Sequence, residues 1–488
     1  MDTAQTTEKK DAELGLSLNK KTMLAITLVL VAILVFVGVL TQVLQRGEFD
    51  LTEIDGHEAI VNGTYHELAY KMPVWKIVLS PILCFTSSQA STGIAIILII
   101  FFIGGSFLIL DKVGVLQYIM ASLIRRFQNR KYLLMAIVIF VCMLLSSTAG
   151  ILEESLTLVP IAVAVSLALG WDSLVGLGIS LVAIAWGFTA ATFNPFNVVT
   201  VQKLAGLPVF SGLWLRLLVF VAVYAILFLF LFLYARKIEK HPEKSLVYES
   251  DRALHEKYTI RDLDAVLANQ TVRKGMRAFL ICMGLDMVFI LLDFVFSLGG
   301  MLSLPAMAVL FTTGGLLAGY FTGLRGKELL KSFLQGAKTI APAIPLIVFV
   351  LAISYILNEG KIMHTILFHI YNVMQGLSPF TAILLLFLVI ALLEFFIGSG
   401  TAKAFLIMPL VAPLSDLVGI TRQSVVTTFC LADGFTNLLY PTSGIMIIAI
   451  GLVGVSYGKW LRWSWKLFLA EFALSAAVML GMVAINYQ

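Results

Sequence analysis

Charged side chains stand inside apolar runs of this sequence, where each is costly and is usually tied to the movement of ions or substrate. Glu153 and Glu154 follow a cluster of small residues, Ser146-Ser147-Thr148-Ala149-Gly150. Glu394 precedes, and Lys403 follows, a second cluster, Gly398-Ser399-Gly400-Thr401-Ala402. Asp433 lies in Leu431-Ala432-Asp433-Gly434-Phe435-Thr436-Asn437. Acids so placed suit a proton, a cation or a substrate amine. Adjacent helical residues point about 100° apart, so one of Glu153 and Glu154 faces a site; the alternative is pairing with a basic residue. Asp433 reads either as a site residue or as the cap of a helix end. Glu394 reads as a ligand or as half of a buried pair. Lys403 neutralises one of these acids or holds a substrate carboxylate.

Neutral donors and acceptors cluster with them. Ser147, Thr148, Ser399 and Thr401 sit at the two small-residue clusters, and Asn194, Asn197, Asn437, Thr442 and Ser443 at two proline breaks downstream. Taken singly, each would serve helix packing or capping. Taken together, at helix ends, they offer partial positive charge to a carboxylate and freed carbonyls to a cation.

The elements that hold these residues occur twice. One copy runs from Ser146 to Arg216, the other from Gly398 to Arg462. Each opens on a small-residue cluster and continues through a proline break, Asn194-Pro195-Phe196-Asn197 or Tyr440-Pro441-Thr442-Ser443. Each closes on a near-identical pentapeptide, Gly212-Leu-Trp-Leu-Arg216 or Gly458-Lys-Trp-Leu-Arg462. Pro195 and Pro441 have the same separation as Gly212 and Gly458, which argues for a repeat. Unpaired backbone costs several kcal/mol per group in hydrocarbon, so interruptions survive only where they are buried in protein or line a wet cavity. Matched interruptions in two halves point to the binding site of a secondary transporter.

Composition sets the solvent. Of 488 residues 59% are hydrophobic and 13% charged, against about 25% charged in soluble domains. Many apolar runs reach the roughly 20 residues needed to cross a bilayer. The chain reads as an all-α polytopic membrane protein. Residues 1–22 form a cytoplasmic tail, and 23–236 a first repeat with a re-entrant hairpin at 132–169 and a broken helix at 173–207. Residues 237–275 form a cytoplasmic linker and 276–298 an extra span. A second repeat covers 302–488, with a hairpin at 379–417 and a broken helix at 425–455. The arms of the first hairpin, at roughly 15–18 residues, are expected to be a little short to cross. Residues 45–75 read as a polar external loop. Of 34 lysines and arginines, only Arg46, Lys71, Lys76, Arg216, Lys361 and Arg422 fall in loops placed outside, a positive-inside bias. It puts the N-terminus in the cytoplasm and the C-terminus outside after nine crossings, and it inverts the two repeats. Trp171, Trp214, Trp460, Trp463 and Trp465 read as anchors at the membrane interface.

Other function classes find no support. The net charge of +5 sits in short loops and does not suggest nucleic acid. The scattered Cys84, Cys142, Cys282 and Cys430 lack metal-ligand spacing, the histidines form no metal motif, and no P-loop provides for ATP. An enzyme would need a nucleophile or metal constellation, which is not found, and a channel would need a continuous polar pore.

Three stretches carry a family resemblance: Ser399-Gly-Thr-Ala-Lys403-Ala, Met408-Pro-Leu-Val-Ala-Pro-Leu-Ser-Asp416, and Asp433-Gly-Phe-Thr-Asn437 with Pro441-Thr-Ser443. Val61-Asn-Gly-Thr-Tyr65 and Gly150-Ile-Leu-Glu153-Glu154 add to it. The chain resembles the C4-dicarboxylate anaerobic carrier (YfcC/DcuC-like) family of the ion-transporter superfamily across essentially its whole length. The resemblance implies an elevator-type carrier in the bacterial cytoplasmic membrane, as a homodimer, with hairpins and broken helices in a moving domain. It implies a small-molecule substrate, either dicarboxylates or, as in YfcC-like members, amino acids such as arginine and ornithine. Thr401 and Ala402 depart from the family's Ser-Gly-Ser-Gly tip, and the Ser-Asn-Thr sodium motif of related carriers does not occur. No cofactor is implied, and coupling to H⁺ or Na⁺ stays open. Acids outnumber bases near the breaks, and a dianion there would need more compensating cations. The charges therefore favour a cationic amino acid, exchanged or symported by alternating access, over a C4-dicarboxylate.

Overall fold

The computed structural model describes residues 20–54, 57–61, 63–87, 90–127, 129–153, 155–258, 262–296, 303–341, 344–374 and 376–488. Helix dominates, because in hydrocarbon it is the form that pairs every backbone group within its own segment. The chain begins with α1 (Lys20–Val43) and four short strands, β1 (Arg46–Glu48), β2 (Leu51–Ile54), β3 (His57–Ile60) and β4 (His66–Leu68). Then come α2 (Val74–Val78), α3 (Ser80–Leu83), α4 (Ala90–Lys112), α5 (Val115–Phe127), α6 (Lys131–Ala149) and α7 (Ser155–Ala168). Next, α8 (Ser173–Leu177) runs through a π turn into α9 (Ala183–Thr189), and after a break a second π turn, Pro195–Val199, leads into α10 (Thr200–Leu204). The long α11 (Leu213–Lys240) ends this half.

The linker carries α12 (Tyr248–Tyr258) and α13 (Leu263–Ala268). The rest comprises α14 (Gln270–Phe296), α15 (Ser303–Phe321), α16 (Gly326–Ile340), α17 (Ile344–Glu359), α18 (Ile362–Met374), α19 (Pro379–Glu394) and α20 (Gly400–Val418). It closes with α21 (Arg422–Thr436), α22 (Gly444–Val453) and α23 (Tyr457–Ala484).

Among the described residues five helices are long and apolar enough to cross a membrane, and seven if two bent pairs each count as one span. Those pairs are α4–α5, bent by 70°, and α17–α18, bent by 65°. The outer faces fit lipid: Leu218, Val221, Leu229 and Leu233 of α11, Ile281 of α14 and Leu469 of α23 are each more than half exposed. In water so much exposed leucine and valine on one set of helices would be an aggregation liability.

Packing in one half is answered in the other. Helix α4 lies against α15 and α16, while α17 lies against α1 and α3. Helix α6 packs on α9 and α19 on α21. Each first arm thus lies mainly on a broken helix and less on its partner arm. At the centre α9 and α21 cross almost backbone to backbone: a Cβ at Gly434 would lie 2.2 Å from the amide nitrogen of Thr189. Trp186, Phe435, Phe468, Phe472 and Phe387 form an aromatic cluster beside this crossing.

Four expectations need correction. The helices expected as hairpin arms are unequal: α6 and α20 have 19 residues each and are long enough to span, while α7 has 14 and α19 has 16. The small-residue clusters lie partly within these helices, with Ser146 to Ala149 in α6 and Gly400 to Ala402 in α20. The fold is not purely helical, because the loop at 45–75 carries strands. Strands β1 and β4 pair antiparallel, as do β2 and β3. Tyr65 stacks on Phe368 of α18 at 3.9 Å, and the Phe49 amide donates to Nδ1 of His364 at 3.1 Å. Aromatic anchoring, invisible to a polarity count, gives that loop its shape. Trp171, Trp460 and Trp463 are buried in protein, whereas Trp214 and Trp465 are 52% exposed. The Trp460 Nε1–H donates to the Leu438 carbonyl at 2.9 Å, so it serves the second break from within. Arg216, taken for a loop residue, is 2% exposed and lies inside α11.

Candidate functional site

The second tip builds a charged cluster. Ser399 caps α20, its hydroxyl accepting from the Ala402 amide at 3.3 Å. That start places Lys403 one turn in, fully buried, with its ammonium between Glu394 and Asp433. The Asp433 Oδ1 lies 2.5 Å from the Lys403 Nζ. Glu394 ends α19 and Asp433 sits in the last turn of α21. Helix N-termini disfavour cations and C-termini disfavour anions, so each charge opposes its own helix; the ammonium relies on both acids, and each acid relies on the ammonium. Fully ionised, the cluster carries one excess negative charge, and no other base lies within ion-pair reach among the described residues. Gly400 permits this arrangement, since a Cβ there would stand 2.6 Å from the Asp433 Oδ2. Asp433 is not a helix cap; instead the Asn437 amide donates to the Asp433 carbonyl at 2.8 Å.

The first tip builds a neutral junction. The Ser147 hydroxyl donates to the Ala190 carbonyl at 2.6 Å, and the Ser147 carbonyl accepts from the amides of Thr192 and Phe193 at 2.9 and 3.1 Å. The Asn194 Oδ1 accepts from the Phe196 amide at 2.9 Å, and the Asn197 Oδ1 from the Val198 amide at 2.8 Å. The Asn197 side chain also donates to the Phe188 carbonyl at 3.3 Å, bridging the break. Gly150 turns in the left-handed region, φ 75°, where a side chain would strike Phe196 and Asn194. The backbone groups freed by the break are thus repaid by neutral side chains, as burial demands.

Direct contacts connect the two. The Thr401 hydroxyl of the second tip donates to the Phe196 carbonyl of the first break at 3.3 Å. A small cavity beneath the first break is lined by Thr189, Ala190, Ala191, Thr427, Cys430 and Arg216. Arg216 donates from Nη1 to the Ser211 carbonyl at 2.8 Å, while its Nε and Nη2 are buried without a partner. Cys430 stands one helical turn before Asp433, so this cavity adjoins the charged cluster.

Not every expected residue joins. The Thr148 hydroxyl turns back to the Leu144 carbonyl of its own helix at 2.7 Å. Ser443 is half-buried and caps α22, and the Thr442 hydroxyl is buried without a hydrogen-bond partner. Glu153 is half-buried in the loop between α6 and α7, and Glu154 lies outside the described residues. Sequence reading missed Arg216 and also Glu471, which is 0% exposed at the middle of α23. A carboxylate centred in an apolar span was a legible signal for the second; nothing in the pentapeptide separated Arg216 from its exposed counterpart Arg462.

YfcC of Escherichia coli (strain K12), whose name assigns it to basic amino acid antiport, is 31% identical over 415 residues, 83% of this chain and 80% of that protein. A Haemophilus influenzae protein is 27% identical over 76% of this chain and 72% of its own length. Two solved structures at 16% identity also align. The YdaH transporter of Alcanivorax borkumensis has a TM-score of 0.42, with 95% of this chain and 99% of that one covered. MtrF of Neisseria gonorrhoeae, from a class of antimetabolite efflux pumps, has a TM-score of 0.43, with coverages of 93% and 94%. The sequence profile of the C4-dicarboxylate anaerobic carrier family matches residues 23–484, and the chain belongs to that family of membrane transporters.

Proposed function

We propose that this protein is a secondary active antiporter for basic amino acids such as arginine and ornithine. The observation that carries the reading is the buried cluster of Lys403 with Glu394 and Asp433, whose charges leave room for a cation and none for a dianion. Buried ionisable groups around the two breaks lean the same way. Among the described residues there, Glu394, Asp433 and the half-buried Glu153 outnumber the buried bases Lys403 and Arg216. A substrate ammonium or guanidinium competes with Lys403 for Asp433 and Glu394. Its carboxylate takes the unpaired guanidinium edge of Arg216 and the amides at the start of α20. The basic-amino-acid assignment of the relative YfcC favours the same choice.

In this reading the two halves are inverted repeats. The matched packing of α4 with α15 and α16, and of α17 with α1 and α3, supports that reading. The tips and broken helices move as one body against the remaining helices, in an elevator, with two chains forming a dimer and the C-terminus outside. Ser147, Asn194 and Asn197 keep the first break in shape, while Ser399, Thr401 and Asn437 position the charged one.

The test is exchange in proteoliposomes: labelled arginine or ornithine loaded inside, with unlabelled arginine, ornithine, succinate or fumarate outside. Release by the basic amino acids alone is expected. Release by the dicarboxylates alone would overturn the reading.

A further inference from the structure

We propose that Glu471 is a proton-binding site at the centre of the protein, separate from the charged cluster at the second tip. Glu471 is 0% exposed and sits at the midpoint of a 28-residue helix, about 20 Å from either end at 1.5 Å per residue. Neither carboxylate oxygen has a hydrogen-bond partner, and no basic side chain of the described residues lies within ion-pair distance. Trp186 of α9 lies beside it, its indole N–H the nearest donor but outside hydrogen-bond geometry. Ser475, one turn further along α23, is also 0% exposed and its hydroxyl is unpaired. Phe468 and Phe472 flank it on α23, with Phe435 of α21 and Phe387 of α19 behind them.

Apart from the Trp186 indole, the described residues of the surrounding helices offer no free charge that would keep it ionised. Helices α9 and α22 carry no titratable side chain. Helix α19 has only Glu394, held by Lys403. On α21, Asp433 pairs with Lys403, Cys430 faces the Arg216 cavity, and Arg422 pairs with Asp416 at the helix start. On α11, Arg216 is bound to the Ser211 carbonyl, Tyr224 to the Ala136 carbonyl and Tyr234 to Asp172; Glu239 pairs with Lys131 at the far end, near Arg236, Lys237 and Lys240. On α23, Lys459, Arg462 and Lys466 lie toward its start.

An isolated buried carboxylate is far costlier than a neutral acid. In the packed arrangement Glu471 therefore carries its proton. A metal ion would need several oxygen or nitrogen ligands, and the described residues hold no cluster of three such acids, histidines or cysteines. The aromatic wall offers none either. The ligand that fits is the proton alone. When α23 parts from α9 and α21, water reaches the carboxyl, its O–H bond breaks, and the proton leaves as hydronium while Glu471 becomes carboxylate. Repacking requires the reverse. Packing at this seam is thus linked to proton uptake, whichever substrate is carried.

Thermal unfolding of the purified full-length protein without substrate tests this apart from any transport assay. The melting temperature is expected to fall from mildly acidic to mildly alkaline pH, and Glu471→Gln is expected to remove that part of the fall. An unchanged pH profile in Glu471→Gln would overturn the proposal. If that variant does not fold, wild-type protein treated with a hydrophobic carbodiimide decides. Such reagents modify protonated carboxyls, so peptide mapping should find Glu471 labelled, with labelling declining as pH rises. Absence of labelling, or labelling indifferent to pH, would overturn the proposal too.

Discussion

The two breaks solve one problem by different means. At the first, Ser147, Asn194 and Asn197 repay interrupted backbone with neutral hydrogen bonds. At the second, the interruption is organised by charge, with Lys403 between Glu394 and Asp433 against the dipoles of their own helices. A neutral junction has one good arrangement and should be rigid. A three-charge cluster with an acid in excess has alternatives, because an arriving cation can take one partner from the lysine. One half is thus built to hold shape and the other to change partners.

The sharpest way to break this contrast is to remove the lysine. Lys403→Met leaves two buried carboxylates facing each other, and orphaning a buried charge costs about 3–5 kcal/mol. The variant should unfold at markedly lower temperature in detergent and lose exchange. Adding Glu394→Gln and Asp433→Asn should recover most of the stability without exchange, as replacing a whole buried ionic group is often neutral. Removing Ser147 and Asn194 together should show no such rescue.

Glycine substitutions come next, at about 1–3 kcal/mol for overpacking and positive-φ strain. At Gly150, φ 75°, an added Cβ would lie 2.4 Å from Phe196 and 2.6 Å from Asn194. Gly150→Ala should lower stability and exchange together, because it breaks a fixed junction. At Gly400 the obstacle is the Asp433 carboxylate. Gly400→Ala should displace that group and raise KM for the cationic substrate more than it lowers the melting temperature. Equal effects in both assays would erase the distinction between the halves.

Much of the charged junction was legible, because charge inside an apolar run is conspicuous whatever the fold. Glu394, Lys403 and Asp433 stood out for that reason, and their pairing required only three helix ends to meet. The double break was legible through Pro195 and Pro441. The neutral junction was legible only in part: Ser147 and Thr148 look alike in sequence, yet one bonds across to Ala190 and the other back to Leu144. Helical phase at a break decides between them, and composition does not fix phase. Arg216 and Arg462 close near-identical pentapeptides, but one is buried and the other exposed. Tertiary packing breaks a symmetry that the local sequence keeps.

A smaller effect tests whether the neutral junction is as tight as its hydrogen bonds suggest. Ser147→Ala removes a buried donor to Ala190 and a partner of Thr192, at about 1–2 kcal/mol. Thr401→Ala loses one longer, half-buried bond to Phe196, at about 0.5–1 kcal/mol. The first should show in thermal unfolding with KM nearly unchanged. The second should leave unfolding almost untouched and alter exchange, because it lies on the contact between the halves.

The contrast reverses at the outer ends of the same helices, and this gives the mildest test. Helix α21 is capped by the neutral Thr421, but α8 is capped by Asp172, whose carboxylate also accepts from Tyr234 and Ser245 at 2.6 Å each. Beside it Asp251 of the linker accepts from the Ser173 amide and hydroxyl at 2.7 and 2.9 Å. Burial first, with Asp172's charge adding to it, pushes the Asp251 carboxyl up to about 7 against the pull of those hydrogen bonds. The folded state thus holds a proton that the unfolded chain releases near pH 4, and stability falls as pH rises between those values, then levels off above about 7. The slope is on the order of 1 kcal/mol per pH unit at most. Asp251→Asn should flatten it, read as limited proteolysis of the linker across this pH range. It should leave the response of Lys403→Met unchanged, since Asp251 is hydrogen-bonded to Ser173, in the half whose break is neutral.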